Sequence, residues 1–429
     1  MLDSRQRDNK VIKVMLTIGC LLVVQAIGTV PVGFISDHQT IQQNKMLVNP
    51  PIIEDREITP VLFCGPGPCN LLPSVQEALT KPVLSAVCDE YFAVEDDIRA
   101  GLKYAFQTES NLVLAMSGSG HSGMEAVIVN ILGPKDKLLV ACRGLWDERA
   151  ATMAKRYGIK VFRTEVPHTA TFGFDQLEAE LKRVRPKALF ITHGDSTTGT
   201  IQKLEGLGDI CHKYGTLLIV DTVVSIGGAK FLMDEWGIDA VYTSTQKALS
   251  GPAGITPVAF SARAEKVINS RKHEPPFYFD VKLLAQQWNC YGNTRAYHHT
   301  LSPPLLWALR ASLIELCRET LPKAWERHTK TAAHFHKRLS DFGFELLIPK
   351  PEDRLNTVTT VLINKKYNIP EFLKYMRNKH RIVIFGGLGP TVGKALRIGL
   401  MGVNSTVQVA EDVALAMADT SRALTKSSL

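Results

Sequence analysis

The chain has 429 residues, of which 45% are hydrophobic, enough to build two cores of a soluble globular protein. Its formal net charge is +8, but the basic residues are scattered rather than clustered, so the sequence carries no footprint of a nucleic-acid-binding protein. The eight cysteines form no CxxC pair and have no His partners at zinc spacing, which argues against a disulfide framework and a metal site.

The N-terminal extension, residues 1–45, contains an uncharged run at 14–35 that follows four basic residues. The run is close to the ~20 residues that a membrane-spanning helix needs. A signal anchor in contact with a membrane, a cleaved secretory peptide and a mitochondrial address are all compatible with it. Synthesis starting at Met46 would leave the run out of the working protein, and these alternatives stay open.

Residues 46–80 are predicted to form an N-terminal arm. Their first part is polar and proline-bearing, and the turn-rich stretch FCGPGPCN follows at 63–70. Helical periodicity then appears at Val75–Leu79 and, beyond the arm, at Val94–Phe106. These segments lead into the first large domain.

A large domain is predicted over residues 81–320 because short β-rich runs alternate there with helical stretches. The runs that we expect to form strands are Leu112–Ala115, Leu138–Cys142, Val161–Phe162, Ala188–Thr192, Leu217–Val220, Ala240–Thr243 and Ile255–Phe260. The fold class is therefore α/β, with a seven-stranded, mostly parallel sheet. Ligands of such sheets bind at the carboxyl ends of the strands.

A smaller α+β domain is predicted over residues 321–429. A long helical pattern, Pro304 to about Leu339, enters this domain through a bridging helix at Leu305–Leu321. The remaining elements are expected to be an antiparallel sheet with helices on one face and a C-terminal amphipathic helix. Their predicted bounds are Phe344–Leu347, Thr357–Ile363 and Ile382–Phe385 for the strands and Val407–Leu424 for the helix.

The stretch SGSGHSG at Ser117–Gly123 lies between a predicted strand and an apolar helix. Its glycines allow close approach of the backbone, its hydroxyls donate hydrogen bonds, and the helix N-terminus favours an anion. The pattern is compatible both with a phosphate site and with an ordinary strand-to-helix turn.

Asp221 closes one strand-like run and Lys247 closes the next, 26 positions later (247 − 221). A carboxylate and an amine at the same sheet edge can hold the two ends of a planar aromatic cofactor, for which pyridoxal phosphate is the obvious candidate. Taken singly, Asp221 is also compatible with a helix cap and Lys247 with a solvent-facing side chain. Gln246 and Thr243 would add donors for a phosphate.

Three further residues follow strands or lie in apolar surroundings. Trp146 could stack on a cofactor ring, but taken singly it is better explained as a core tryptophan. Ser196 occupies a strand exit next to His193, where a polar turn is the alternative. A lone guanidinium at Arg397 needs an anion, which a substrate carboxylate or a structural ion pair would provide.

Taken together, these residues resemble the class V group of fold-type I pyridoxal-phosphate-dependent enzymes. Within the group, the sequence is similar to alanine–glyoxylate (serine–pyruvate) aminotransferases and to 3-hydroxykynurenine transaminases. The likeness spans roughly Pro60 to Leu424. The matching motifs, in order, are GPGP (65–68), FQTE (106–109), SGSGH (117–121), THGDS (192–196), VD (220–221), QKAL (246–249), YHHT (297–300) and GGLGP (386–390).

The resemblance implies that Lys247 is the catalytic residue that forms a Schiff base with the cofactor and that Asp221 pairs with the pyridine nitrogen. Trp146 would stack on the ring, and Ser196 would lie near the ring hydroxyl. The phosphate would be held by Ser119, Gly120, His121 and Gln246, joined by Tyr297 and Thr300 from the neighbouring subunit of a homodimer. Arg397 and Ser85 would contact the substrate.

The implied reaction moves the amino group of L-alanine or L-serine to glyoxylate, which yields glycine and removes glyoxylate. The kynurenine-using relatives carry Ser-Asn where this chain has Ser85 and Ala86. The missing amide favours small amino donors. The alternative function is transamination of kynurenine or 3-hydroxykynurenine. A dinucleotide-binding protein and a membrane-tethered, non-catalytic binding protein are the competing classes, but SGSGHSG is not the GxGxxG turn of the former.

The resemblance favours a peroxisomal location, with the mitochondrion as alternative, and the terminal Ser-Ser-Leu departs from the Ser-Lys-Leu signal.

Overall fold

A computed structural model of the chain describes residues 50–363 and 367–426. The uncharged run at 14–35 and the terminal Ser-Ser-Leu at 427–429 lie outside the described residues. Among those described, no helix is both long enough and apolar enough to span a bilayer.

The chain divides into two compact units, Met1–Ile58 and Thr59–Leu429. In the first unit, residues 50–58 form neither helix nor strand, and their side chains are exposed. The second unit contains all the helices and strands that the structure describes. Every cysteine within the described ranges is a free thiol, which agrees with the absence of a disulfide pattern in the sequence.

The elements of the second unit are numbered in chain order. Its strands are β1 Leu62–Phe63, β2 Val113–Ser117, β3 Lys137–Cys142, β4 Lys160–Glu165, β5 Ala188–Thr192, β6 Gly194–Asp195, β7 Thr200–Ile201, β8 Leu217–Asp221, β9 Ala240–Tyr242, β10 Ile255–Phe260, β11 Glu345–Leu346, β12 Val358–Leu362, β13 Ile382–Val383, β14 Phe385–Gly386 and β15 Ala395–Gly399. Its α-helices are α1 Pro73–Ala78, α2 Asp89–Phe106, α3 Gly120–Ile131, α4 Leu145–Arg156, α5 Phe174–Val184, α6 Leu207–Lys213, α7 Ala262–Ser270, α8 Val281–Gln287, α9 Pro303–Glu319, α10 Leu321–Asp341, α11 Ile369–His380 and α12 Val407–Lys426.

The large sheet has seven strands in the order β2-β10-β9-β8-β5-β3-β4. The neighbours from β9 to β4 pair in parallel, and β10 runs antiparallel to both of its neighbours. The seven predicted runs supply these seven strands, so the predicted α/β class and mostly parallel sheet are confirmed.

Strand β8 shows why the sequence places the site where it does. All five residues of its LLIVD sequence are buried, as expected for a central strand covered on both faces by helices. The run stops at Asp221 because the carboxylate ends the apolar pattern at the carboxyl edge of the sheet. Helices α3 and α4 pack near this edge, and their apolar faces join the principal core.

A second sheet has the order β11-β12-β15-β14 and is antiparallel throughout. It packs with α10, α11 and α12 around a separate apolar cluster that includes Phe335, Phe372 and Met417. Two details differ from the prediction. The predicted strand Ile382–Phe385 is split, since β13 pairs in parallel with β1 and only β14 joins this sheet. Strand β15, which carries Arg397, is not among the predicted strands.

The predicted bridging helix corresponds to α9. The helical pattern of Pro304–Leu339 is interrupted at Thr320, whose φ is 71°, and α10 begins at the next residue. Helix α9 packs against α2 in the principal core, and α10 packs against α12 beside the four-stranded sheet. The two helices therefore connect both cores.

Candidate active site

A cavity of about 190 Å³ lies at the edge of the large sheet where the parallel strands end. The loops after β2, β3, β5, β8 and β9 converge on it. Its lining contains residues predicted from the sequence, namely Ser119, Gly120, His121, Trp146, Ser196, Asp221, Gln246 and Lys247, together with Met124, Gly194, Val223, Val224, Tyr242 and Ser244. The fold thus brings together side chains that are up to 128 positions apart in sequence (247 − 119).

Lys247 follows β9 on a loop that turns back into β10. Its Nζ donates a hydrogen bond to the Pro66 carbonyl oxygen at 2.5 Å. Burial, with a smaller contribution from the nearby Arg397 guanidinium, lowers the pKa of the amine to about 8, while Cys69 and Asp221 oppose the shift. The amine can therefore lose its proton near neutral pH, as a nucleophilic lysine requires.

Gly67 presses directly against this lysine. Its φ is +109°, and a Cβ at this position would lie 2.2 Å from Lys247 Nζ. We expect Gly67→Ala to strain the backbone by about 1–2 kcal/mol and to lower kcat/KM by roughly 10²-fold, because the amine must move. Steady-state kinetics and thermal unfolding check the two effects.

Gly343 provides the matched control for this substitution. Its φ is also positive, at +76°, but nothing lies within 4 Å of the position that a Cβ would take. Gly343→Ala should therefore lose stability and keep kcat/KM. Equal kinetic losses in the two variants would show that backbone strain, and not displacement of Lys247, is responsible.

Asp221 is almost fully buried, with 3% of its surface exposed. Its Oδ1 accepts a hydrogen bond from the Val223 backbone N–H at 2.8 Å, and its Oδ2 accepts one from the Tyr242 hydroxyl at 2.5 Å. Burial is the main cause that raises the pKa of this carboxyl to about 7; the two hydrogen bonds oppose the rise, and Asp147 and Asp195 add to it. A cation placed in the cavity would stabilise the charged form.

The N-terminus of α3 also lines the cavity. Ser119 is the N-cap residue, and its side chain makes no capping hydrogen bond. A Cβ on Gly120 would lie 3.3 Å from the Val223 side chain, so the close packing here suits glycine. The Gln246 side chain accepts a hydrogen bond from Ser244. Free helix N–H groups beside these polar side chains suit an anionic group.

His121, Trp146 and Arg149 form a cluster at the cavity. The His121 and Trp146 rings meet edge to face, with centroids 5.7 Å apart, and Trp146 Nε1 donates to Ser196 Oγ at 2.9 Å. Arg149 Nη1 lies 2.8 Å from His121 Nε2. Because a guanidinium can only donate, the Nε2 atom must accept, so His121 is neutral with its proton on Nδ1. Burial and Arg149 both lower the pKa of His121, consistent with that state.

Arg397 lies beside the cavity on β15. Its Nε donates to the Gly386 carbonyl at 2.9 Å, and its Nη1 donates to the Ser196 carbonyl at 3.0 Å. The side chain is 7% exposed. Burial lowers its pKa to about 10 against the opposing effect of Asp195, so the group stays cationic at neutral pH. Two hydrogen bonds thus orient the guanidinium next to Lys247.

Ser85, Tyr297 and Thr300 do not line the cavity of their own chain. Ser85 is exposed in the turn before α2. Tyr297 is 60% exposed, and its hydroxyl lies 2.7 Å from Thr300 Oγ1. The resemblance assigned Tyr297 and Thr300 to the site of a neighbouring subunit, and their exposed positions leave that assignment as a prediction.

Two residues near the motifs have structural contacts instead. Thr243, predicted to add a phosphate donor, is buried, donates to the Thr222 carbonyl at 3.3 Å and does not line the cavity. That prediction is wrong, because the side chain of the next residue, Ser244, faces the cavity. His193 lies 2.9 Å from Ser225 Oγ and is fully covered, and burial lowers its pKa to about 3.

The cavity lining also contains Tyr242, Ser244 and Val223, which were not predicted from the sequence. Within the sequence, Tyr242 is only one more residue of an apolar strand. The signal that identifies it is positional, since it is the β9 residue paired in register with Asp221. Ser244 could have been found from the polar sequence TSTQK that precedes the lysine.

The residues fit pyridoxal phosphate on three structural grounds. Asp221 is a buried carboxylate whose hydrogen-bond donors, Val223 and Tyr242, are both neutral, and a protonated ring nitrogen would give it a cationic partner. Lys247 is an amine whose pKa is lowered by burial. The N-terminus of α3, where Ser119 and Gly120 line the cavity, offers backbone N–H donors for a phosphate.

Comparison with known proteins agrees with this geometry. Residues 86–411 match the family model described as "Aminotransferase class-V". The alanine–glyoxylate aminotransferase of Drosophila melanogaster is 41% identical over 367 residues, which cover 85% of this chain and 93% of that protein.

Two solved structures share the fold. The alanine–glyoxylate aminotransferase of Nostoc sp. superimposes with a TM-score of 0.84 at 36% identity, covering 86% of this chain and 98% of that one. The ureidoglycine–glyoxylate aminotransferase of Bacillus subtilis superimposes with a TM-score of 0.83 at 28% identity, covering 86% and 94%. The similarity therefore extends over nearly the whole length of each relative.

Proposed function

Because the chain belongs to the class V aminotransferase family, we propose that it uses pyridoxal phosphate to transfer the amino group of L-alanine, or of L-serine, to glyoxylate. The products are glycine and pyruvate or hydroxypyruvate. The observation that carries the proposal is the placement of Lys247 and Asp221 on one cavity with Arg397 beside it. An amine, a buried carboxylate and a fixed guanidinium are the groups that this reaction needs.

Pyridoxal phosphate, when bound, supplies a carbonyl carbon that exchanges amino groups and a protonated ring that accepts electron density. The Lys247 amine would act as the general base that takes the proton from the substrate Cα and delivers it to the carbonyl-derived carbon of the cofactor. The Asp221 carboxylate would stabilise the positive charge of the ring nitrogen. Arg397 binds the substrate carboxylate in the orientation that its hydrogen bonds to Gly386 and Ser196 fix.

The Trp146 indole and the helix α3 N-terminus complete the site. The hydrogen bond from Trp146 to Ser196 fixes the plane of the indole, so its face can cover a planar ring. Ser119, Gly120 and His121, with Gln246 and its neighbour Ser244, are the residues that would hold the phosphate. His121 in its neutral Nδ1–H form contributes a donor without adding charge.

Glyoxylate is better supported than the donor. It stands in the names of all three relatives compared, whereas the donor is alanine in two of them and ureidoglycine in the third. The choice of a small donor for this chain rests on those names and on Ala86, which lacks the amide that kynurenine-using relatives carry. Removal of glyoxylate and formation of glycine are the corresponding metabolic roles.

The decisive experiment compares donors with the purified, cofactor-loaded protein. We expect kcat/KM for alanine with glyoxylate to exceed that for 3-hydroxykynurenine by about tenfold or more. Serine is assayed in parallel. A strong preference for the aromatic donor would favour kynurenine or 3-hydroxykynurenine transamination and would contradict our interpretation of Ala86. Absence of turnover with every amino donor would contradict the proposed function as a whole.

The lowered pKa of Lys247 gives a pH prediction. The neutral amine is the reactive form, so the rate at which the apoprotein captures pyridoxal phosphate should rise with pH and level off above about pH 8, not near 10.5. Stopped-flow absorbance measures this rate. Arg397→Leu removes a repelling charge and should move the midpoint to higher pH. A midpoint near 10 in the unmodified protein would contradict the assigned environment of Lys247.

We also propose that the enzyme is a homodimer with shared sites. The exposed Tyr297 and Thr300, with the exposed aromatic Phe277 nearby, support this arrangement. Mixing Lys247→Ala protomers with Tyr297→Phe/Thr300→Val protomers should restore activity, because one site of the hybrid then contains no substitution. Hybrids no more active than their parents would contradict shared sites.

For the cell we propose a peroxisomal location, with the mitochondrion as the alternative. Support comes from the family resemblance, and the terminal Ser-Ser-Leu is a departure from the usual signal. Imaging the protein with a tag at either end tests this proposal. A peroxisomal pattern that disappears with the C-terminal tag supports it, and a mitochondrial pattern that disappears with the N-terminal tag overturns it.

A further inference from the structure

Tyr242 is a fully buried residue at the end of β9 whose hydroxyl has a defined partner. In the register of the parallel sheet it lies opposite Asp221, the last residue of β8. Its O–H donates to Asp221 Oδ2 at 2.5 Å. Both residues also line the cavity that holds Lys247. The phenol therefore reaches the carboxylate from within the sheet edge.

The Tyr242 ring is held so that its hydroxyl keeps this direction. It stacks against Phe190 of β5, with centroids 6.5 Å apart and ring planes 29° apart. Helix α3 approaches so closely that a Cβ on Gly123 would lie 3.0 Å from Tyr242 Cβ. Because the ring is packed on these sides, it cannot swing away to another acceptor without moving the helix.

The carboxylate is consequently held by one donor on each oxygen. The Val223 N–H binds Oδ1 and the Tyr242 hydroxyl binds Oδ2. A carboxylate has about four acceptor positions, so lone pairs remain for a third donor from the cavity. The charged and titratable groups that act on Asp221 are Asp147, Asp195, Tyr242 and, from the cavity side, Lys247.

We propose that Tyr242 is a positioning residue, whose hydroxyl fixes the Asp221 carboxylate in the orientation that pairs with the protonated ring nitrogen of pyridoxal phosphate. This inference rests on the proposed function. The inference extends the proposed function, because it assigns a role to a tyrosine that acts on the cofactor only through the Asp221 carboxylate. Without the hydroxyl, the carboxylate can rotate, the ring nitrogen loses positive charge, and the ring becomes a weaker electron acceptor.

The test is Tyr242→Phe, with Tyr104→Phe as matched control. The Tyr104 hydroxyl accepts a hydrogen bond from the Leu321 backbone N–H at 2.8 Å, so its loss also removes one bond, but away from the cavity residues. In Tyr242→Phe we expect the Kd for pyridoxal phosphate to rise about tenfold and kcat to fall more than KM changes. Tyr104→Phe should match the unmodified enzyme in both.

A spectroscopic readout distinguishes positioning from packing. When the ring carries less positive charge, the Lys247 nitrogen that is joined to the cofactor holds its proton more tightly. The pH midpoint of the visible absorption band should therefore rise by about one unit in Tyr242→Phe. A purely structural role would lower thermal stability and leave this midpoint unchanged. An unchanged midpoint therefore overturns the proposal, whatever happens to stability or activity.

A double-mutant cycle tests the route through Asp221. If Tyr242 acts through that carboxylate, Tyr242→Phe should have little further effect on cofactor affinity once Asp221→Asn is present. Fully additive effects would contradict the proposal.

The affinity and absorption measurements need no amino donor, so their outcome is independent of whether alanine proves to be the substrate. If Tyr242→Phe protein does not fold, while Tyr104→Phe does, a purely structural role stands and the proposal fails.

Discussion

Replacing Lys247 with alanine should lower the rate of transamination by at least ~10⁴-fold, because the same side chain anchors the cofactor and moves the proton. The amine is suited to both tasks since burial lowers its pKa to about 8. Alanine removes the amine but leaves Asp221, Arg397 and the α3 N-terminus in place. Cofactor binding should therefore persist without a covalent link.

Two measurements check this expectation. Steady-state turnover of alanine with glyoxylate gives the loss of rate, and borohydride reduction followed by mass spectrometry detects the covalent link. Lys266→Ala is the matched control, since Lys266 is exposed on the outer helix α7. A small primary amine added to Lys247→Ala protein should restore part of the rate by supplying a base to the cavity. Retention of both turnover and reducible cofactor in the variant would refute the role of Lys247.

Much of the fold could be predicted because continuous apolar runs of the sequence form the strands of the large sheet. A strand covered on both faces, such as β8, is apolar up to its last residue, Asp221, which marks its end. In the same way, Lys247 lies in the polar stretch that follows the apolar run of β9. Parallel strands deliver such ends to one edge, so two residues 26 positions apart (247 − 221) could be placed together without knowledge of any contact.

The part of the chain around the four-stranded sheet was less predictable because several of its strands are short and depend on distant partners. Ile382–Phe385 is one apolar stretch, yet its first half pairs with β1, over 300 residues earlier in the chain, and its second half pairs with β15. No local pattern distinguishes the halves. Arg397 stands out in the sequence as a guanidinium in apolar surroundings, but its strand does not, since the run ALRIG is interrupted by that same arginine.

The site shows a similar division. Residues with unusual chemistry for their surroundings, such as Asp221 after LLIV, stand out in the sequence. Tyr242 does not, since a tyrosine at the end of a buried strand is ordinary, and only the register with Asp221 reveals the contact of its hydroxyl. Thr243 and Ser244 are both small and hydroxylated, and which one faces the cavity depends on where the strand ends and the loop begins.

Replacing Asp221 with asparagine should lower kcat by about 10²–10³-fold, the size of effect that follows removal of one preorganised electrostatic contact to developing charge. The side chain keeps its shape, so the substitution removes mainly the negative charge opposite the ring nitrogen. The amide also has only one oxygen with which to accept the Tyr242 and Val223 hydrogen bonds. We expect weaker cofactor binding and a larger loss in kcat than in substrate affinity.

The stability of the apoprotein separates this effect from damage to the fold. The pKa of Asp221 is raised from 3.8 to about 7 in the folded chain. The folded state therefore binds the proton more tightly than the unfolded state, and stability from this group is lost as the pH rises towards 7. At pH 8 the ionised, buried carboxylate is a cost that asparagine does not carry. Thermal unfolding of Asp221→Asn apoprotein at pH 8 should thus occur at the same temperature as in the unmodified chain, or higher.

Asp209→Asn on the exposed surface of α6 is the control. A kcat within threefold of the unmodified enzyme would remove Asp221 from the mechanism, whereas a lowered unfolding temperature would assign the loss of activity to the fold.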